Sequence, residues 1–304
     1  MLTHSNSAPL TIGKLLGLTL DMYGTHIGVF LRTVAIPYLP LALLSFFFAR
    51  DSISVTLFSL VIFPFGALVS LAIIVHCVDS LHGRPLTVAA ALGRGLRRLP
   101  ANIVMVLVAS AVYVGLTIIL ATPIWFGLLN TDISTDILFG EIRDLLTVPP
   151  DPIDIEVIMN VLDEVLWGGL GICFFGVLIL VAMFYLSSRW IVAETALMVE
   201  GTGPLESLRR SWNLSRDFVL RSVGYLLILS IATGLVGGLI SVVVNFGLAF
   251  VFTGLDHSLQ AGLQGAVSTL LSIFFIPFQV TAVVLYYFDL RVRKEKVDFG
   301  FVQE

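Results

Sequence analysis

The chain has 304 residues, 57% of them hydrophobic and only 12% charged, with a net charge of -4 and a mean hydropathy of +0.99. Soluble domains carry roughly 25% charged residues, so the composition excludes an ordinary water-soluble enzyme and points to helices in lipid. The near-neutral balance excludes a nucleic-acid partner held by bulk charge.

The first residues, MLTHSNSAPL, lack a basic region ahead of a short apolar core, so no cleaved signal peptide is expected and the first span should serve as its own insertion signal. Six stretches meet the need of a spanning helix for about 20 predominantly apolar residues: 27–49, 53–78, 102–129, 166–188, 219–250 and 262–288. Pro37, Pro40, Pro64, Pro123 and Pro277 fall inside them. Membrane helices tolerate such prolines because neighbours re-satisfy the freed backbone groups.

Orientation follows from lysine and arginine, which are retained on the cytoplasmic side. With the N-terminus inside, only Arg50 and Arg143 of the 17 basic residues fall in outer segments, with Arg32 near a boundary. Both termini are therefore expected in the cytoplasm. The outer stretch 130–165 is acidic, with Asp132, Asp136, Glu141, Asp144, Asp151, Asp154, Glu156, Asp163 and Glu164 around a Pro149-Pro150-Asp151-Pro152 turn. It has no EF-hand order of ligands and is expected to be a solvated loop.

An internal repeat organises the chain. Segments beginning Pro9-Leu10-Thr11, Pro85-Leu86-Thr87 and Pro204-Leu205-Glu206 each precede a pair of spans. In the second, Val88, Leu92, Leu96 and Leu99 recur at helical spacing against Arg94, Arg97 and Arg98; in the third, Leu205, Leu208 and Trp212 oppose Arg209, Arg210 and Arg216. These patterns predict short amphipathic helices on the inner membrane surface. Proline suits the start of such a helix, and Glu206 can pair with Arg210 one turn on. The expected architecture is an all-α integral membrane protein, one domain over 1–304, with three units (about 9–79, 85–198 and 204–290) of one interfacial helix plus two spans and a short tail, 291–304. The even-numbered spans end in an acid: Asp79, then Glu194 or Glu200, then Asp289. An unpaired carboxylate at that depth is costly, so pairing with arginines of the surface helices is expected.

The run Val199-Glu200-Gly201-Thr202-Gly203-Pro204-Leu205-Glu206-Ser207-Leu208-Arg209-Arg210-Ser211-Trp212, followed by Asp217-Phe218, resembles the bacterial membrane-domain family named after glycerophosphoryl diester phosphodiesterases. So does Tyr286-Tyr287-Phe288-Asp289-Leu290-Arg291-Val292-Arg293-Lys294-Glu295. The resemblance implies residence in a bacterial plasma membrane. In that family the membrane domain sometimes precedes a soluble phosphodiesterase barrel and often stands alone, without a settled activity. The residues here end at Glu304 without the barrel or its metal ligands, so phosphodiesterase activity is not expected.

No catalytic or cofactor constellation is present in the sequence. His4, His26, His76, His82 and His257 form no HExxH or i,i+4 pair, and Cys77 and Cys173 lie in apolar runs with no metal spacing, as small packing residues would. His76, three residues before Asp79, could share a proton with it, or simply pack at a helix end. Asn102, Asn245, Gln264 and Gln279 suit hydrogen bonds between helices, and Gly234, Gly237, Gly238, Gly168, Gly169 and Gly171 suit close helix packing. The basic clusters at 94–98 and 209–221 are candidates for contact with anionic lipid or with a membrane or cytoplasmic partner subunit. A scaffold, anchor or accessory subunit is therefore the expected role. A small-solute permease or exporter is the alternative, weakened by span centres almost free of charge.

Overall fold

The computed structural model describes residues 10–48, 52–84, 87–130, 155–251 and 257–296. Among these the chain is entirely helical: α1 (Ile12–Phe48), α2 (Ser52–Leu81), α3 (Val88–Asn130), α4 (Ile155–Trp190), α5 (Ala193–Val199), α6 (Pro204–Ser215), a 3-10 turn (Arg216–Phe218), α7 (Val219–Val251) and α8 (His257–Glu295). Six helices are long and apolar enough to cross a membrane. Pro9, Pro85, Leu86, the acidic stretch 131–154 and the tail from 297 onward lie outside the described residues.

Local chemistry sets the helix ends. Thr11 Oγ1 accepts the Lys14 N–H at 3.3 Å and Thr87 Oγ1 accepts the Ala90 N–H at 3.4 Å, each hydroxyl capping the first turn that follows it. Pro204 occupies the first position of α6, where its missing N–H costs nothing. Gly83, after α2, and Gly201, after α5, have φ of 65° and 70°, a left-handed conformation that lets the chain leave a helix sharply.

The expected surface helices differ from one another. The segments after Thr11 and Thr87 are not separate helices but the opening turns of α1 and α3. No glycine turn interrupts either one, and Pro100 is absorbed within α3. Only α6 stands alone, because Arg216–Phe218 tighten into a 3-10 turn before α7. The acidic stretch is also shorter than expected, since α4 already begins at Ile155.

The chain divides into two compact units, residues 1–108 with 187–304, and residues 109–186. In the larger, α1 and α8 form the most extensive helix pair and α2 packs on both. Its core is built from Leu15, Phe30 and Val34 of α1, Leu71, Ile73 and Ile74 of α2, and Tyr286, Tyr287 and Leu290 of α8, all at most 1% exposed. Hydroxyls tie these helices: Thr33 Oγ1 lies 3.0 Å from His76 Nε2, and the Tyr23 hydroxyl donates to the Phe274 carbonyl at 3.1 Å. Tyr225 of α7 stacks on Tyr286 at 4.4 Å between ring centroids and donates to the Ala282 carbonyl at 2.8 Å. The rest of α7 turns apolar side chains outward, with Leu220, Phe246 and Phe250 at 89%, 76% and 80% exposure. Such a surface on a predominantly apolar helix belongs in lipid. The smaller unit likewise presents Ile118, Ile119, Phe174 and Val177 outward, and its Thr117 and Thr122 hydroxyls bond carbonyls of their own helix.

Small residues mark the close approaches. Gly95 of α3 is buried against α2, where an added Cβ would sit 3.2 Å from the Leu68 carbonyl oxygen. Gly262 of α8 meets the Phe46 backbone carbonyl even more tightly. By contrast the Gly234 and Gly238 pair faces open space, and only Gly237 of that group packs, against Phe275. The side chains flanking Gly168 and Gly169 lie outside the described ones, and a Cβ on Gly171 would meet nothing. Cys77 is buried beside Thr281 at 3.4 Å, whereas Cys173 is exposed rather than packed.

Gly262→Ala should lower the midpoint of thermal unfolding in detergent, corresponding to about 1 to 3 kcal/mol of overpacking, because a backbone carbonyl cannot rotate away. Gly234→Ala should leave the midpoint unchanged. Equal effects of the two would refute the close α1–α8 approach.

Candidate functional site

The basic residues gather at one end of the larger unit, and their placement follows from where the buried acids lie. Asp289, two turns before the end of α8, has a side chain 1% exposed. Its Oδ2 accepts from Arg221 Nη2 at 2.9 Å and Arg293 Nε at 2.8 Å, and its Oδ1 accepts the Leu10 N–H at 3.0 Å. Arg221 and Arg293 each also donate at 2.6 Å to the Leu10 carbonyl. One carboxylate thus holds the entry to α1, the first turn of α7 and the last turns of α8.

A second cluster forms around Glu200, just past α5. Arg210 Nε lies 2.9 Å from both carboxylate oxygens, and the Tyr287 hydroxyl donates to Oε1 at 2.7 Å. Arg210 Nη2 also bonds Glu295, whose other oxygen accepts from Arg291 Nε at 2.7 Å. Lys294 closes on Asp217 at 3.1 Å and on the Asn213 carbonyl. The expected Glu206–Arg210 pair is not formed: Glu206 is exposed, and Arg210 turns inward. Two partly buried carboxylates outweigh an exposed i,i+4 pair worth only about 0.2 to 0.5 kcal/mol.

Asp79, 8% exposed at its side chain, pairs with Arg94 at 2.9 Å. Arg98 Nη1 donates to the Gly201 carbonyl at 3.1 Å, joining α3 to the turn before α6. His76 is buried among Thr33 and Phe30, and no hydrogen bond joins it to Asp79, so the structure does not assemble the proton-sharing pair. Glu194 does not meet an arginine. Ser70 Oγ and Asn102 Nδ2 donate to it at 2.7 and 2.8 Å. Of the other amides, Gln279 donates to Thr233 across α8 and α7, and Asn245 bonds only its own helix.

These contacts separate the candidate residues into two sets. Arg94, Arg98 and Arg210 hold the helices together, while Arg97, Arg209 and Arg216 are exposed and form no described ion pair. Arg209 borders a cavity of about 420 Å³ lined also by Trp190, Leu205, Leu208, Trp212 and Asn213. Beneath it the buried Arg189 lies 4.1 Å from the Trp212 ring, a cation–π contact that fixes the indole. Ser211 and Ser215 of α6 both donate to the Arg189 carbonyl, at 2.8 and 3.2 Å, anchoring the helix on the end of α4. In the sequence Arg189 looks like one more orientation charge, and the only signals that set it apart are its neighbour Trp190 and Trp212, two helices on. Among the described residues no group of three or more His, Cys, Asp or Glu could hold a metal ion.

A family model described as "Domain of unknown function (DUF7847)" matches residues 25–290. No curated protein and no solved structure matches the chain.

Replacing Asp289 with Asn should cost about 3 to 5 kcal/mol, since two guanidinium groups lose their buried counter-charge. Asp217→Asn, at a carboxylate 62% exposed, should cost no more than about 1 kcal/mol. Thermal unfolding of both variants in the same detergent checks the ranking, and a reversed order would refute the buried node.

Proposed function

The chain belongs to this family of domains of unknown function, and from that premise and the geometry above we propose that it is a non-enzymatic multi-pass membrane protein. Its role is that of a scaffold, anchor or accessory subunit, which engages anionic lipid or a partner subunit through the basic surface of α6. The observation that carries this reading is the placement of Arg209 on an apolar cavity between two tryptophans, with Arg216 exposed nearby. Apolar walls suit an acyl chain or an apolar side chain. The exposed guanidinium groups suit a phosphate or carboxylate, for which arginine's fork geometry is well matched. A basic amphipathic helix at an anionic leaflet gains about 1 kcal/mol per charge near the surface.

The basic end then lies in the cytoplasm, in keeping with the retention of positive charge there, and three related units of a basic segment plus two spans account for the recurrence of an acid after each pair of spans, at Asp79, Glu200 and Asp289. The likeness of 199–212 and 286–295 to the membrane domains of glycerophosphoryl diester phosphodiesterases supports a bacterial inner-membrane setting. A small-solute permease is the second reading, favoured by the buried polar cluster of Glu194, Ser70 and Asn102, which no arginine joins among the described contacts.

Lipid retention tests the first reading. Native mass spectrometry of protein extracted from mixed vesicles should detect bound phosphatidylglycerol on the wild type and several-fold less on Arg209→Gln/Arg216→Gln, at unchanged thermal stability. Arg210→Gln should instead lower stability, because it breaks the Glu200 and Glu295 pairs. Equal retention by the folded double variant, with no partner protein lost from native-membrane extracts, would overturn the proposal.

A further inference from the structure

We infer that Arg209, Asn213 and Arg216 form a headgroup site for a lipid carrying two phosphates joined by a glycerol, the chemistry of cardiolipin, with one of its acyl chains lying over Trp190 and Trp212. The inference rests on the lipid reading of α6 and names the lipid. Position along the helix is the first observation. α6 runs from Pro204 to Ser215, and Arg216 beyond it keeps helical angles, φ -55° and ψ -45°. Residues 209, 213 and 216 therefore fall at i, i+4 and i+7, on one side of a helix. All three are exposed, and the two arginines stand two turns apart, about 10.5 Å along the axis.

That spacing selects the ligand. Side chains on a helix lean the same way, toward its N-terminus, so the two guanidinium groups stay apart rather than converging on one point. A single phosphodiester keeps its free oxygens on one phosphorus and meets one guanidinium. Two phosphates on a glycerol bridge meet both at once, each through charge-assisted hydrogen bonds of the forked kind. Asn213 sits between the arginines, where its amide can donate to or accept from the hydroxyl of the bridging glycerol.

The neighbouring charges leave the two arginines available. Lys294 pairs with Asp217 at 3.1 Å and bonds the Asn213 carbonyl, which offsets the acid beside Arg216 and ties the middle of the stripe to the end of α8. Arg210 is turned away into the Glu200 and Glu295 pairs. Glu206 is exposed one turn before Arg209 and forms no ion pair with it among the described residues.

An apolar stripe runs beside the polar one. Leu205, Leu208 and Trp212, at i, i+3 and i+7, line the same cavity as Arg209 and Trp190. The two indoles lie 6.4 Å apart, inclined at 53°, and the Arg189 contact at 4.1 Å holds Trp212 from below. A cavity of about 420 Å³ is of small-molecule size, enough for part of one chain while the others stay in the bilayer. Tryptophan also suits the depth at which headgroup and chain meet.

The test uses the full chain, extracted in detergent from phosphatidylcholine vesicles containing either cardiolipin or phosphatidylglycerol at equal phosphate, and read by native mass spectrometry. The wild type should retain one cardiolipin per chain, roughly tenfold better than phosphatidylglycerol, because linking two phosphates raises the effective concentration of the second. Arg209→Gln and Arg216→Gln should each abolish this preference at unchanged Tm, and the double variant should change it no further. Arg84→Gln, which removes an exposed charge outside the stripe, should keep it. Equal retention of the two lipids by the wild type would overturn the inference and leave the lipid reading standing. Loss of the preference in Arg84→Gln would overturn it in favour of bulk charge. Retention of neither lipid would overturn both, and a polypeptide then missing from extracts of the double variant would assign the stripe to a protein.

Discussion

The Asp289 carboxylate, nearly excluded from solvent, is the constraint on which the arrangement of the larger unit depends. A buried carboxylate is tolerated only with its charge compensated and its lone pairs occupied. Here two guanidinium groups and a backbone N–H do this together. The donors come from α7, from α8 and from the residue leading into α1, so the electrostatic requirement of one side chain sets the relative positions of three helix ends. Apolar packing of α1, α2 and α8 supplies most of the contact between helices. It does not fix register along their axes in a medium as apolar as the helices themselves, and in lipid polar contacts and close small-residue packing carry that information.

The same logic explains why basic residues adjacent in sequence have different roles. Arg209 and Arg210 are neighbours on α6, about 100° apart around the helix. Arg210 faces Glu200 and Glu295 and joins the ionic framework, whereas Arg209 faces the cavity beside Trp212. Because Ser211 and Ser215 pin α6 to the end of α4, the helix cannot roll to exchange the two. The Arg209 charge is therefore held over an apolar surface by a framework made from its neighbour.

Much of this was legible in the sequence and some was not, for identifiable reasons. Length and hydropathy located all six long helices, because a spanning helix leaves an apolar run that no other element needs. Acids closing the even-numbered spans announced ion pairs, and Asp79 and Glu200 meet arginines of the segments that follow them. The partner of Asp289 was less readable: Arg221 lies in the first turn of α7 rather than in α6, and a backbone N–H from Leu10 leaves no sequence signal. The sequence suggests a boundary between surface and spanning helices in α1 and α3, where the backbone has none. Amphipathic periodicity passes into uniform apolarity without a break in hydrogen bonding, and only the turn at 216–218 interrupts it. The Gly234–Gly238 spacing suggested internal packing, but spacing does not specify which face of a helix meets a neighbour.

Glu194 is the case where composition misleads most. Span centres almost free of charge suggest an inert bundle, yet a carboxylate just beyond a helix break, held by Ser70 and Asn102, is chemically unlike the paired acids around it. Burying an unpaired ion carries an effective penalty of several kcal/mol, and at Glu194 no arginine offsets it among the described contacts. The arginine-paired acids are held by charge as well as by hydrogen bonds. The helices α2, α3 and α5 therefore meet at this carboxyl group through hydrogen bonds from Ser70 and Asn102 and not through an ion pair.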